Sequence, residues 1–237
     1  MSPSVEACVI VALIFSSMGV PTAAQTTQFV PEINDNLKLS SFMRAYVQAK
    51  DDRNQGQSGQ FSLGPSMRFY FKPLLKLKKF AIFDLDDSKS RALVFEMGYR
   101  YLSAPNTSST NRMETMVTFN FPLKTGFLIS DRNRADLDWK NGSFSWRYRN
   151  KLSLERAIAV HSYHPIPYVA AEPYYVDKYH KWSTTALYVG SLFPVGKHVQ
   201  FNAYYEHENN TGTKSNLVKN DFGLSVSFFA SIARDED

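Results

Sequence analysis

The chain has 237 residues, which suits one domain or two small ones. Hydrophobic residues make up 43% and charged residues 21%, a balance that disfavours a disordered chain. The net charge of +5 is small and both signs are dispersed, so the composition argues against a nucleic-acid partner. No run of 18 apolar residues occurs, which disfavours a polytopic helical membrane protein. The aromatic content of 14% favours β-structure.

The N-terminus has the order of an export signal. Residues 7–18 are apolar, and the small residues Thr22, Ala23 and Ala24 precede the polar Gln25. This order is typical of a signal peptide, although no Lys or Arg precedes the apolar run and an uncleaved apolar helix is the alternative. Cleavage would remove Cys8, the only cysteine. The sequence therefore predicts a signal peptide over 1–24, an N-terminal segment over 25–36, a barrel over 37–229 and a charged tail over 230–237.

The rest of the chain alternates apolar and polar residues with period two, the pattern of strands with one apolar face. The first of these runs, Leu37 to Val47, places Leu37, Leu39, Met43 and Val47 on one face. The ten predicted strands lie at 37–47, 59–71, 95–101, 112–121, 126–139, 143–156, 166–175, 182–193, 199–207 and 217–229.

Most of these strands are longer than the roughly 5–6 residues usual in soluble sheets, and they match the roughly 9–11 residues that a tilted membrane-spanning strand needs. The sequence predicts an all-β fold, an antiparallel transmembrane β-barrel of about ten strands, with twelve as the alternative. A soluble secreted barrel or sandwich is the competing fold. Aromatic residues at both strand ends predict two girdles, formed by Trp139, Phe144 and Trp146 at one end and by Phe121, Phe193 and Phe228 at the other.

One connector does not fit a simple hairpin barrel. Residues 72–91 are too many for a tight turn, and we predict a helical or extra-strand insertion there.

The dipeptide Asn141-Gly142 is the strongest hairpin signal in the chain, because it favours a two-residue type I′ turn. Such a turn pairs Lys140 with Ser143 and fixes the register of both strands. On the outer face Asn133 then lies opposite Asn150. On the inner face the predicted pairs are Asp136 with Arg147, Arg134 with Arg149, and Arg132 with Lys151.

This register brings four cations together, Arg132, Arg134, Arg149 and Lys151, which we name the cation ladder. Like charges opposite one another destabilise a sheet unless carboxylates neutralise them, and we expect Glu155 and Glu172 to do so. The further lumen candidates are Glu96, Arg100, Glu114 and Glu206. A salt-bridge network that fills the lumen is the favoured interpretation, and an anion-attracting constriction is the alternative.

The sequence offers little catalytic chemistry. His161 and His164 lie close together, but no further His or Cys clusters with them, so we predict no metal site. His207 has no Ser at nearby alternate positions that could act as a nucleophile. We therefore predict no enzyme activity, no catalytic residue and no cofactor, with a barrel-rim hydrolase acting on lipid or peptide as the alternative.

A family resemblance covers about residues 30–229 and lies in the segments 98–102, 130–134, 144–152, 168–175, 181–183 and 204–209. These segments resemble the uncharacterised outer-membrane family known as domain of unknown function 2490. It implies a Gram-negative outer-membrane β-barrel and brings no established activity. One departure is that Phe228 and Phe229 are followed by further residues, whereas barrel chains usually end on an aromatic residue.

Together these observations predict an exported outer-membrane β-barrel with a charged, narrow or plugged lumen and a structural or passive-pore role. Its expected partners are outer-membrane lipid and the barrel-assembly machinery, with no ligand indicated. A soluble periplasmic ligand-binding barrel is a further alternative.

Overall fold

The computed structural model describes residues 25–54, 57–71, 85, 87–123, 126–161, 163–212 and 217–232. Eleven strands in this part of the chain form a closed barrel in which sequence neighbours are also neighbours in the sheet. The strands are β1 Gln25–Ser40, β2 Met43–Asn54, β3 Gln57–Tyr70, β4 Leu93–Ser103, β5 Thr110–Pro122, β6 Phe127–Lys140, β7 Ser143–Arg156, β8 Ile166–Val176, β9 Lys181–Val195, β10 Val199–Asn210 and β11 Leu217–Ser231. A short 3-10 turn, Asp177–Tyr179, joins β8 to β9.

The barrel has eleven strands instead of ten because the predicted first strand is two strands. A turn at 41–42 divides the run, so residues 25–36, predicted to precede the barrel, belong to β1. Each of the other nine predicted strands corresponds to one of β3 to β11.

The closing pair differs from all the others. Ten neighbouring pairs are antiparallel, whereas β1 and β11 run parallel, with Phe29 beside Phe222 and Ile33 beside Val226. An odd number of strands, each reversing the direction of the last, requires one parallel pair at closure.

The two faces of the sheet have opposite character. Large apolar side chains such as Phe29, Phe144 and Trp182 are exposed on the outer face, whereas Arg100, Asp136 and Glu172 are buried on the inner face. This alternation follows from the period of two along each strand. The core of this barrel is therefore polar, and its apolar surface points outward.

The strands define two mouths of the barrel. We call the mouth that contains the turns at 141–142 and 177–180 the hairpin end. The opposite mouth contains the connections at 41–42, 157–165 and 196–198, and we call it the plug end because residues 87–91, described below, cross it.

Some predicted features lie outside the described residues: the signal peptide over 1–24, most of the connector over 72–91 and the end of the tail at 233–237. The beginning of that tail is part of the barrel, because β11 continues to Ser231. Among the described residues, no helix is long and apolar enough to cross a bilayer.

Candidate functional site

The hairpin of β6 and β7 positions the inner charges. Asn141 and Gly142 both have positive φ, 50° and 75°, as a type I′ turn requires. The strands pair from Lys140 with Ser143 down to Phe127 with Arg156. The predicted inner pairs are all observed, namely Asp136 with Arg147, Arg134 with Arg149 and Arg132 with Lys151.

The outer face of the same hairpin carries a polar cluster. Asn133 lies opposite Asn150, as predicted, and the Asn150 amide donates to Asn133 Oδ1 over 3.1 Å. The same amide donates to Asp131 Oδ1 over 2.6 Å, and the Tyr148 hydroxyl donates to Asn133 Oδ1. These contacts hydrogen-bond polar groups on a face that is otherwise largely apolar.

Asp136 is the first of two fully buried carboxylates that organise the cation ladder. It accepts hydrogen bonds from Arg134 Nε and Arg147 Nε, each over 2.5 Å. Arg134 also donates from Nη2 to Glu114 Oε1 over 2.5 Å. Two half-buried guanidinium groups are thereby neutralised by carboxylates from β5 and β6 through charge-assisted hydrogen bonds, which are stronger than neutral ones.

Glu172 on β8 is the second buried carboxylate. Its Oε1 accepts from Arg149 Nε over 2.9 Å and from Arg132 Nη2 over 3.2 Å. Its Oε2 lies 2.9 Å from the hydroxyl of Tyr188. Glu172 thus neutralises two members of the ladder, in the role expected for it.

Glu155 does not have the role that the sequence predicts. It forms an ion pair with Lys89 and lies on β7 nearer the plug end than the ladder. The prediction was wrong because Lys89 lies on the long connector. The alternation of apolar and polar residues along the strands does not reveal where that connector runs. Glu96, a further lumen candidate, is buried and pairs with its cross-strand neighbour Arg68 on β3 over 2.7 Å.

Lys151 differs from the other members of the ladder. Within the described part of the chain, no carboxylate lies within 4.0 Å of its ammonium group. Its Nζ instead lies 3.5 Å from the centroid of the Tyr188 ring. An aromatic face attracts a cation without neutralising it.

Arg100 has a structural role that the sequence did not reveal. The ladder between β3 and β4 is interrupted between the pairs Leu63–Tyr101 and Ser66–Gly98, where Pro65 has no N–H to donate. Arg100 Nη1 donates to the backbone carbonyl oxygens of Gly64, Pro65 and Tyr99 over 2.9, 3.2 and 3.0 Å. Its guanidinium group therefore supplies hydrogen bonds that the interrupted ladder lacks.

The end of the long connector crosses the plug end of the lumen. Asp87 pairs with Lys38 on β1 over 3.2 Å and with Arg44 on β2 over 3.3 Å. Lys89, two residues later, pairs with Glu155 on β7, which lies across the ring of eleven strands from β1 and β2. We call residues 87–91 the plug, because ion pairs hold this segment to opposite walls.

A cavity of about 430 Å³ lies inside the barrel. One wall, from β4 to β8, contributes the cation ladder with Arg100, Arg112 and Arg147, against the carboxylates Glu114 and Glu172. The opposite wall, from β9 through β11 to β2, contributes the carboxylates Glu32, Asp52, Glu206, Glu208 and Asp221, against Lys50 and Lys219. We call these the cationic wall and the acidic wall.

A second cavity of about 280 Å³ continues towards the hairpin end. It shares Arg147, Tyr174 and Glu208 with the first cavity and reaches the turn at Asp177–Tyr179. The two cavities therefore extend along the lumen towards the hairpin end, whereas the plug crosses the lumen at the other end.

The described residues contain no group of three or more His, Cys, Asp or Glu side chains arranged to hold a metal ion. His207, the histidine considered for a rim hydrolase, lies with Nδ1 2.8 Å from Asn220 Oδ1. This hydrogen-bond partner of His207 is an amide group, which cannot serve as a nucleophile of the Ser type.

No protein-family profile and no curated protein matches the chain. Among solved structures, the chain resembles "Bacterial polysaccharide outer membrane secretin" with a TM-score of 0.49 and 6% identity. The match covers 76% of this chain and 62% of that chain, so this chain spans less than two thirds of the other's length. A likeness of this size indicates nothing about what the chain binds or carries.

Proposed function

We propose that the protein is an outer-membrane β-barrel whose charged lumen is plugged, and that its role is structural, with at most weak passive permeation. The observation that supports this proposal best is the inverted distribution of polarity. Phe121, Trp182 and Phe193 are exposed on the outer face of a closed barrel whose inner face holds buried Arg and Glu. A soluble barrel would place its apolar face inside, whereas a lipid-exposed barrel requires it outside.

The aromatic residues support the same placement. At the hairpin end Trp139 packs on Phe144 with ring centroids 5.3 Å apart, and Trp182 packs on Tyr175 at 5.9 Å. At the plug end Phe121, Phe193 and Phe228 are exposed. Aromatic side chains in two belts are favoured at the two interfaces of a bilayer, where a ring contacts both lipid and water.

Two features argue for a closed lumen. Buried carboxylates neutralise three of the four members of the cation ladder, so most of the ladder is committed to ion pairs. The plug joins opposite walls at one mouth. An anion-selective pore would instead need cations that face a continuous water-filled path.

Membrane fractionation and planar-bilayer recordings test this proposal. The full chain should separate with the outer membrane and migrate faster on gels when unheated, because closed barrels resist unfolding by detergent. Conductance should be negligible, and Arg134→Gln and Arg149→Gln should lower stability without opening a current. Recovery as a soluble periplasmic protein would contradict the location, and an anion-selective current abolished by these substitutions would contradict the structural role.

A further inference from the structure

The two walls of the cavity carry opposite net charge. Seven cations and two carboxylates line the cationic wall, while five carboxylates and two lysines line the acidic wall. The wall centres lie at β6 and β11, on opposite sides of the ring of strands. A molecule in the cavity therefore lies between a positive and a negative surface, which orients any solute that carries both charges.

Several of these charged groups have no counter-ion among the described residues. On the cationic wall this holds for Lys151, whose ammonium group lies over the ring of Tyr188. On the acidic wall Glu32 accepts from the neutral amides of Asn34 and Gln48, over 2.7 and 2.8 Å. Glu208 also has no cation within 4.0 Å in the described part of the chain.

Glu206 is the clearest case of a carboxylate on the acidic wall with too few hydrogen-bond donors. It is buried, and its Oε1 lies 2.8 Å from the Tyr188 hydroxyl, which is also 2.9 Å from Glu172 Oε2. A phenol has one proton and cannot donate to two carboxylates at once. Glu172 also accepts from two arginines, whereas the donor that the described structure gives Glu206 is this one neutral hydroxyl, so most of the acceptor capacity of Glu206 is unfilled. Nearby, Asp221 Oδ1 is buried without a hydrogen-bond partner in the described structure.

We propose that this cavity binds a small zwitterion with one carboxylate and one ammonium group. The ligand's ammonium group donates to Glu206 and Glu208 on the acidic wall. Its carboxylate accepts from Lys151 and from Arg132, whose side chain is 33% exposed. The volume of about 430 Å³ suits a small ligand. Because the plug obstructs one mouth, the ligand enters and leaves through the hairpin end.

This inference rests on the barrel and its cavity and does not depend on the membrane location. The experiment uses the purified full chain in detergent micelles, with binding followed by isothermal titration calorimetry. The probes are three molecules of similar length: 6-aminohexanoate, hexanoate and hexylammonium. We expect 6-aminohexanoate to bind at least about tenfold more tightly than either singly charged probe, because it forms charge-assisted contacts with both walls.

Two variants locate the site. Glu206→Gln should reduce the affinity for 6-aminohexanoate to about that for hexanoate, and Lys151→Met should reduce it to about that for hexylammonium. Glu155→Gln is the matched control, because Glu155 is also buried inside the barrel but pairs with Lys89 outside the cavity lining. It should leave the affinity unchanged. Slower migration of the unheated protein identifies any variant that has not folded.

The probes also supply the results that would overturn the proposal. Equal affinity for hexanoate would make the cavity an anion site, and equal affinity for hexylammonium would make it a cation site. Absence of binding by all three probes to the folded parent protein would remove the site altogether. None of these results would alter the outcome of membrane fractionation, so failure of this inference is distinguishable from failure of the proposed function.

Discussion

The cationic and acidic walls of the lumen use their charges in different ways. On the cationic wall Arg134, Arg147 and Arg149 each donate to a fully buried carboxylate, either Asp136 or Glu172. On the acidic wall Glu32 and Glu206 are held by amide and phenol donors and have no cation within ion-pair distance among the described residues. A buried charge that is fully paired stabilises the barrel only as part of its pair, whereas a charge held by neutral donors keeps its attraction for an incoming ion.

The largest expected effect is on the free energy of unfolding, which should depend strongly on a carboxylate of the cationic wall and weakly on one of the acidic wall. Asp136→Asn should lower the free energy of unfolding by about 2–4 kcal/mol, because it removes the fully buried carboxylate that the half-buried Arg134 and Arg147 share, and Arg134 keeps only Glu114. Glu206→Gln should change it by less than about 1 kcal/mol, since a glutamine oxygen still accepts from Tyr188. Denaturant unfolding in detergent, followed by tryptophan fluorescence, measures both values. Equal losses for the two variants would show that the walls do not differ.

An intermediate effect is expected on the cationic wall at Arg100. Arg100→Met should cost about 1.5–3 kcal/mol, because the backbone carbonyls of Gly64 and Tyr99 lose a charged donor. Arg100→Lys keeps the charge but not the planar fork, so it should recover only part of this loss. The same unfolding measurement applies. Full recovery by lysine would mean that Arg100 acts through its charge alone and not through the interrupted ladder.

The smallest expected effect lies at the turn that sets the register of the cationic wall. Gly142→Ala should cost about 1 kcal/mol, because an alanine is strained at positive φ. An added Cβ there meets no atom within 4 Å, so no steric clash adds to this cost. Asn141→Gly, which tolerates the same conformation, is the control and should be nearly neutral. A loss of several kcal/mol in the alanine variant would indicate that the register itself had shifted.

The β6–β7 hairpin and the β1–β2 hairpin show where the sequence was sufficient and where it was not. Asn141-Gly142 both breaks the strand and specifies the turn, so the register and every inner pair below it could be predicted. The turn at 41–42 has no Gly, Pro, Asn or Asp to mark it. The register shift between Lys38 and Ser40 pairs Lys38 with Arg44, six residues later, so both lie on the same face of the sheet. Two residues six apart in one continuous strand would also share a face. The alternation of apolar and polar residues therefore does not reveal the turn.

The sequence by itself determined the β-structure, the division of each strand into an apolar and a charged face, and the cation ladder. These depend on the period of two and on one local turn, both of which involve residues close in the chain. Only the tertiary structure decided that Glu172 neutralises Arg132 and Arg149 and that Lys89 forms an ion pair with Glu155. It also decided that the barrel closes through a parallel pair of strands, β1 and β11. These contacts join residues far apart in the sequence, and the closed ring of strands, not the local pattern, sets which of them meet.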